Sequence, residues 1–207
     1  MEEAVRIPCG DIELEGRLAP THAAPLAVVV CHPHPLRGGD MNSPPVEWLS
    51  RSLARRGAAV LRFNFRGAGL SGGTHDGGKA EVDDVDAALR FLHERVPRAR
   101  LAVAGYSFGA LVAARSAARR DDLFALGLIA PPLDMSPLPD LAASAFPGGL
   151  VAVVGDRDDV CPPPKLRAWA DHSGAQLEIL SGEDHFLAGA RDALERIFAV
   201  WLAPEAA

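Results

Sequence analysis

Six apolar runs rich in β-branched residues, at positions 28–31, 58–65, 101–105, 125–130, 150–155 and 177–180, punctuate the chain. They are continuous rather than alternating, the pattern of strands buried on both faces of a parallel sheet. Parallel neighbours cannot be joined by tight turns and need crossovers. Amphipathic stretches at 45–56, 80–95, 108–120, 163–172 and 189–201 supply them as helices. Residues 4–7 and 12–18 do alternate, which predicts an antiparallel hairpin at one edge. No linker or repeat divides the chain, so residues 1–207 read as a single α/β domain, a mostly parallel central sheet with helices on both faces.

A chain of 207 residues, 48% of them hydrophobic, buries about 70% of its unfolded surface and needs no staple to hold a core. Cys9, Cys31 and Cys161 are an odd, scattered set that fits a reducing compartment better than a disulfide framework. The opening Met-Glu-Glu-Ala-Val-Arg-Ile-Pro is acidic where a secretory signal is basic, and the longest apolar run, 26–31, is far short of the ~20 residues that span a bilayer. A cytoplasmic protein without membrane attachment is expected. Twenty-seven acids against 21 bases give a net charge of −6, which repels nucleic acid. The basic clusters at 51–56 and 119–120 read as solvated helix faces and ends.

In sheets of this kind, chemistry sits in the loops beyond the carboxyl ends of the strands. The run 101–104 leads into Gly105-Tyr-Ser-Phe-Gly109 and then an Ala/Leu-rich helix. Strand, Gly-x-Ser-x-Gly, helix is the context of a nucleophile elbow, in which a serine sits on a sharp, strained turn. A second match, Gly69-Leu-Ser-Gly-Gly73, runs into Thr-His-Asp-Gly-Gly and reads as a turn. A serine hydroxyl attacks only when a histidine takes its proton and a carboxylate orients that histidine. The run 150–155 is followed by Asp156, Asp158 and Asp159, and the run 177–180 by Glu183, Asp184 and His185. Ser107, an aspartate, then His185 is the chain order of an α/β-hydrolase. An oxyanion needs two backbone N–H donors, one from the residue after the nucleophile, Phe108, and one from the loop after the third strand. That loop reads Cys31-His-Pro-His-Pro-Leu-Arg-Gly-Gly39, and because prolines have no N–H, His34 between them is the best-placed donor.

The chain also resembles, over nearly its whole length, a small lidless member of the α/β-hydrolase superfamily. The motifs are His32-Pro-His-Pro with Gly38-Gly-Asp-Met41, Asn64-Phe-Arg-Gly67-Ala-Gly69-Leu-Ser71, Gly105-Tyr-Ser-Phe-Gly109, Gly155-Asp-Arg-Asp158 and Gly182-Glu-Asp-His185. They are similar to those of the dienelactone-hydrolase-like proteins, and most of all to a bacterial group of short hydrolases marked by the His-Pro-His-Pro loop. The resemblance implies an α/β-hydrolase fold with no full lid domain. The short segment 131–149, with five prolines, points the same way. It places the catalytic acid three residues after the strand-ending glycine, at Asp158, and it puts Arg66 in a buried ion pair that holds its loop. Asn42 stands one position early against the pattern, so no role at the pocket rim is assigned to it.

The expected catalytic set is Ser107, Asp158 and His185, with the N–H groups of His34 and Phe108 as the oxyanion hole, no cofactor and no metal. The expected reaction is hydrolysis of a carboxylic ester or thioester through an acyl-enzyme. The same machinery serves acyltransferases, perhydrolases and peptidases, and a catalytically silent binding protein could keep the fold. The expected partner is a small-molecule ester or thioester, with neither nucleic acid nor membrane, and the chain is expected as a monomer or homodimer. His32 and His34 form a His-x-His pair, but Leu36 and Arg37 stand where further metal ligands would follow. Residues 66–73 are glycine-rich yet lack the Gly-Lys-Ser/Thr of a phosphate loop. Cys31 and Cys161 read as packing residues.

Overall fold

The computed structural model describes residues 2–19 and 23–202; the outermost positions of the expected domain and residues 20–22 lie outside them. Strands β1 (Glu3–Cys9) and β2 (Ile12–Ala19) form the antiparallel hairpin, and their burial alternates as their sequence does. Strands β3 (Leu26–Cys31), β4 (Ala59–Phe63), β5 (Arg100–Tyr106), β6 (Leu123–Ile129), β7 (Leu150–Gly155) and β8 (Gln176–Leu180) run parallel. The order across the sheet is β1-β2-β4-β3-β5-β6-β7-β8, with β2 antiparallel to β4.

Every residue of β3, β4 and β7 is buried, so these strands are covered on both faces. The cover comes from α1 (Pro44–Arg55), α2 (Glu81–Arg95), α3 (Phe108–Ala117), α4 (Pro163–Ser173) and α5 (Arg191–Ile197). Helix α1 lies against α5, α2 against α3, and α4 against β7 and β8. Between β6 and β7 the chain forms one 3-10 turn, Ala143–Ala145, and no helical cap. Among the described residues no helix is long and apolar enough to cross a membrane.

Three expectations are corrected. The run 177–180 is not buried on both faces: β8 is the last strand of the sheet and only half-buried, with Gln176 and Glu178 hydrogen-bonded to each other in solvent. Helix α3 stops at Ala117 rather than 120. The N–H groups of Arg119 and Arg120 tighten onto the carbonyls three residues back, and the Arg120 guanidinium turns to Asp122. The helix expected over 189–201 is shorter, because after α5 the chain tightens into a 3-10 turn, Phe198–Leu202. In a 3-10 turn residues three apart eclipse, which aims Phe198 and Trp201 at one floor. That floor is Gly127 of β6, where a Cβ would collide with the Phe198 ring and lie 2.9 Å from Trp201.

Candidate active site

Ser107 joins β5 to α3 with φ 54° and ψ −120°, a conformation that costs a non-glycine residue on the order of 1–3 kcal/mol. The surroundings hold it there. Its N–H donates to the Ile129 carbonyl at 2.8 Å, and its own carbonyl accepts from Ala110 at 2.9 Å. The flanking glycines let the turn close. A Cβ on Gly105 would collide with the backbone of Gly109, and one on Gly109 would lie 2.5 Å from the carbonyl oxygens of Cys31 and His32. The elbow therefore brings α3 into contact with the loop after β3.

The Ser107 hydroxyl donates to His185 Nε2 at 2.9 Å. His185 Nδ1–H lies 2.9 and 3.0 Å from the two carboxylate oxygens of Asp158. Asp158 is buried, and its Oδ1 also accepts from the N–H groups of Val160 and Cys161 at 2.9 and 2.7 Å. Three donors thus compensate the buried charge. Asp156 and Asp159 are exposed, and Asp156 accepts instead from the Gly182 N–H at 2.8 Å. Of the three acids, Asp158 is the one beside His185.

The backbone N–H of Phe108 is the first of α3 and has no intrahelical acceptor. His34 opens a 3-10 turn, Pro35–Arg37, and its carbonyl accepts from Arg37 and Gly39, which curls the loop back on itself. Both residues line a cleft of about 700 Å³ around Ser107. Its lining includes Pro33, Arg37, Pro44, Pro45 and Trp48 from the segments after β3 and at the start of α1, and Pro132, Met135, Val160, Phe186 and Ala188 from the loops after β6, β7 and β8. No carboxylate side chain is among the described residues that line it.

Other residues singled out in the sequence have structural partners. Arg66 grips Asp84 through Nε and Nη2 at 3.0 and 2.7 Å, while Asp84 Oδ2 accepts the Arg66 N–H. Asn42 accepts from Arg62 and is not among the residues that line the cleft. Ser71 donates to the Asn64 carbonyl and accepts from the Glu15 N–H, so the second Gly-x-Ser-x-Gly is a turn tied to β2. His32 Nε2 accepts from the Phe65 N–H at 2.9 Å, which puts the proton on Nδ1, 2.6 Å from the Pro33 carbonyl. Burial pushes its pKa down to about 4. Both nitrogens of this neutral ring are engaged inside the protein, which takes His32 out of any His-x-His metal pair. Burial, with the Asp158 charge next in importance, pushes the Cys161 thiol up and keeps it protonated.

One participant carries no signal in the sequence: Tyr106, whose hydroxyl donates to the His185 carbonyl at 2.8 Å. Burial and the charges of Asp158 and Asp184 push its pKa up to about 12, so it remains a donor. The variable position of Gly-x-Ser-x-Gly tolerates many residues, and the partner lies 79 positions away.

Comparisons with known proteins bear on the family and the fold. The profile of the serine aminopeptidase, S33, family matches residues 27–150. A protein of Rickettsia prowazekii, itself uncharacterized, is 36% identical over 186 residues, covering 84% of this chain and 77% of that one. The lidless α/β serine hydrolase of Xanthomonas campestris superposes with a TM-score of 0.85 at 29% identity, covering 98% of this chain and 96% of that one. An α/β serine hydrolase homologue from Coxiella burnetii gives a TM-score of 0.82 at 30% identity, with 97% of each chain covered.

Proposed function

Because the chain belongs to the serine aminopeptidase, S33, family of α/β hydrolases, we propose that it cleaves a carboxylic ester or thioester of a small substrate through an acyl-enzyme. The observation that supports this most is the unbroken hydrogen-bond relay from the strained Ser107 through His185 to buried Asp158. In this reading His185 Nε2 takes the Ser107 proton as Oγ attacks the acyl carbon. Asp158 holds the Nδ1–H tautomer and stabilises the imidazolium. The N–H groups of His34 and Phe108 receive the oxyanion. His185 then protonates the departing oxygen or sulfur, and a water, deprotonated by the same ring, releases the acid and restores the Ser107 hydroxyl.

An ester or thioester is favoured over a peptide with a free amino terminus. Such a peptide needs a carboxylate to receive its ammonium, and the cleft wall offers the cation Arg37 instead. The test is labelling of the purified protein with a fluorophosphonate, followed by turnover of p-nitrophenyl esters, acyl-CoA thioesters and aminoacyl anilides. We expect label on Ser107 and turnover of esters or thioesters. An unlabelled protein would be a binding protein on a hydrolase fold, and anilides turned over faster than esters would make it a peptidase.

A further inference from the structure

His75 lies in the glycine-rich loop after β4, where its neighbours Thr74, Asp76 and Gly77 are exposed while its own side chain is only 11% exposed. Its ring is turned inward onto two others. The centroids are 4.7 Å from His34 and 5.3 Å from Phe108, and His34 and Phe108 are themselves 4.9 Å apart. His34 and Phe108 are the two residues whose N–H groups receive the oxyanion in the reading above. The His34 Nδ1 is buried without a hydrogen-bond partner among the described residues, and packing against the two neighbouring rings holds that edge of the imidazole. Burial, with the His75 charge next, pushes its pKa down, which favours the neutral ring in this stack.

His75 is anchored in turn. Its Nδ1 lies 2.7 Å from Oε1 of Glu81, off the line of a straight hydrogen bond, and Glu81 is fully buried at the start of α2. The two Glu81 oxygens also accept from the N–H groups of Asp76 and Gly78 at 2.8 Å each. Arg115 of α3 donates to the Gly78 carbonyl at 3.0 Å, and a Cβ on Gly78 would sit 3.2 Å from the Phe108 ring. The loop is thus tied to α2, to α3 and to the ring it presses on. His75 itself does not line the cleft.

We propose that His75, braced by Glu81, is a positioning residue that clamps the oxyanion hole by pressing one ring against both of the side chains whose backbones form it. The inference rests on the serine-hydrolase reading of the site. Its physical basis is that donors must stand within a few tenths of an ångström of the developing oxyanion, and that a shift on the order of 1 Å can cost ~10²-fold in rate. Binding of the ground-state ester, which makes little use of the hole, should be spared.

The experiment compares His75→Ala, His75→Phe and wild type on one p-nitrophenyl ester, with thermal unfolding and inhibition by a boronic acid, whose tetrahedral adduct occupies the same hole. For His75→Ala we expect kcat lower by ~10–100-fold, KM within about twofold, and boronate affinity reduced in parallel. His75→Phe keeps the ring and should recover kcat to within about threefold of wild type. Wild-type kcat in a folded His75→Ala would overturn the proposal, as would a loss confined to KM or an equal loss in His75→Phe. Fluorophosphonate labelling of the wild type separates the two levels. No label would sink the hydrolase reading itself, whereas a labelled wild type with a silent His75→Ala sinks only the clamp.

Discussion

Two serines of this chain sit in Gly-x-Ser-x-Gly, and their hydrogen bonds tell them apart. Ser107 Oγ faces a histidine backed by a carboxylate, while Ser71 Oγ faces two backbone groups. Ser107→Ala should therefore lower kcat by ~10⁴–10⁶ with the fold intact. Ser71→Ala should keep turnover and lose on the order of 1 kcal/mol of stability for each hydrogen bond it drops; exchanged results would move the nucleophile. The acids divide in the same way. Asp158→Asn removes the acceptor that selects the His185 tautomer and should cost ~10⁴ in kcat, whereas Asp156→Asn gives up only a loop contact. A deep loss at Asp156 with Asp158→Asn near wild type would reassign the role. His32 gives a pH-dependent outcome. Its folded pKa of about 4 lies below the ordinary 6.5, so between those values the unfolded chain takes up the proton and the folded chain does not. Stability from this ring is fully present above about pH 6.5 and is withdrawn as pH falls toward 4, by on the order of 3 kcal/mol. Urea unfolding at pH 7 and pH 4.5 should show a smaller change for His32→Gln than for wild type, and identical changes would refute it.

Elements were legible in the sequence where their signal is periodic. Continuous apolar runs marked the buried strands and alternation marked the hairpin, because burial on two faces or on one leaves that imprint on the residues themselves. The elbow was legible for a steric reason: only glycine at 105 and 109 lets β5, α3 and the loop after β3 approach so closely. Contacts between distant elements leave no such imprint. Three aspartates stand within four positions, and what singles out Asp158 is the curl that aims the Val160 and Cys161 N–H groups at it. Tyr106 against His185, His32 against Phe65 and His75 against His34 are likewise pairings across the sheet edge that no local pattern records. The helix expected over 189–201 ends early for a related reason. Its apolar spacing fits a helix, but Phe198 and Trp201 must both meet Gly127 and the backbone tightens to bring them there. Gly127→Ala is accordingly expected to cost about 1–3 kcal/mol by overpacking, read as a lower unfolding midpoint in urea. A midpoint equal to wild type would mean that the two rings can withdraw freely.

At the scale of the whole molecule, the decisive fact is that none of the described residues folds over the cleft. The 20 residues between β6 and β7 hold a single 3-10 turn; prolines at 131, 132, 137, 139 and 147 remove N–H donors there and bias the residue before each away from helical angles. Met135 and Phe186 consequently stand exposed at the mouth of the cleft, 56% and 73% accessible, in the structure as it is. A lipase that opens a cap at an interface gains activity there because the apolar mouth is covered in water and uncovered on lipid. Here no described residue covers the mouth, so contact with an interface is expected to have no closed state to release. Turnover should then follow the concentration of molecularly dispersed ester and pass through the micellar threshold without a jump. Within the dispersed range, the apolar walls should reward each added methylene of the acyl chain by up to ~0.8 kcal/mol, about fourfold in kcat/KM, until the cleft of about 700 Å³ is filled or the chain reaches solvent. The measurement is kcat/KM for p-nitrophenyl esters of increasing length, each followed from below to above its critical micelle concentration. A sharp rise confined to the micellar side would show that some part of this chain does close over Ser107, and the segment 130–149 would be the first place to look for it.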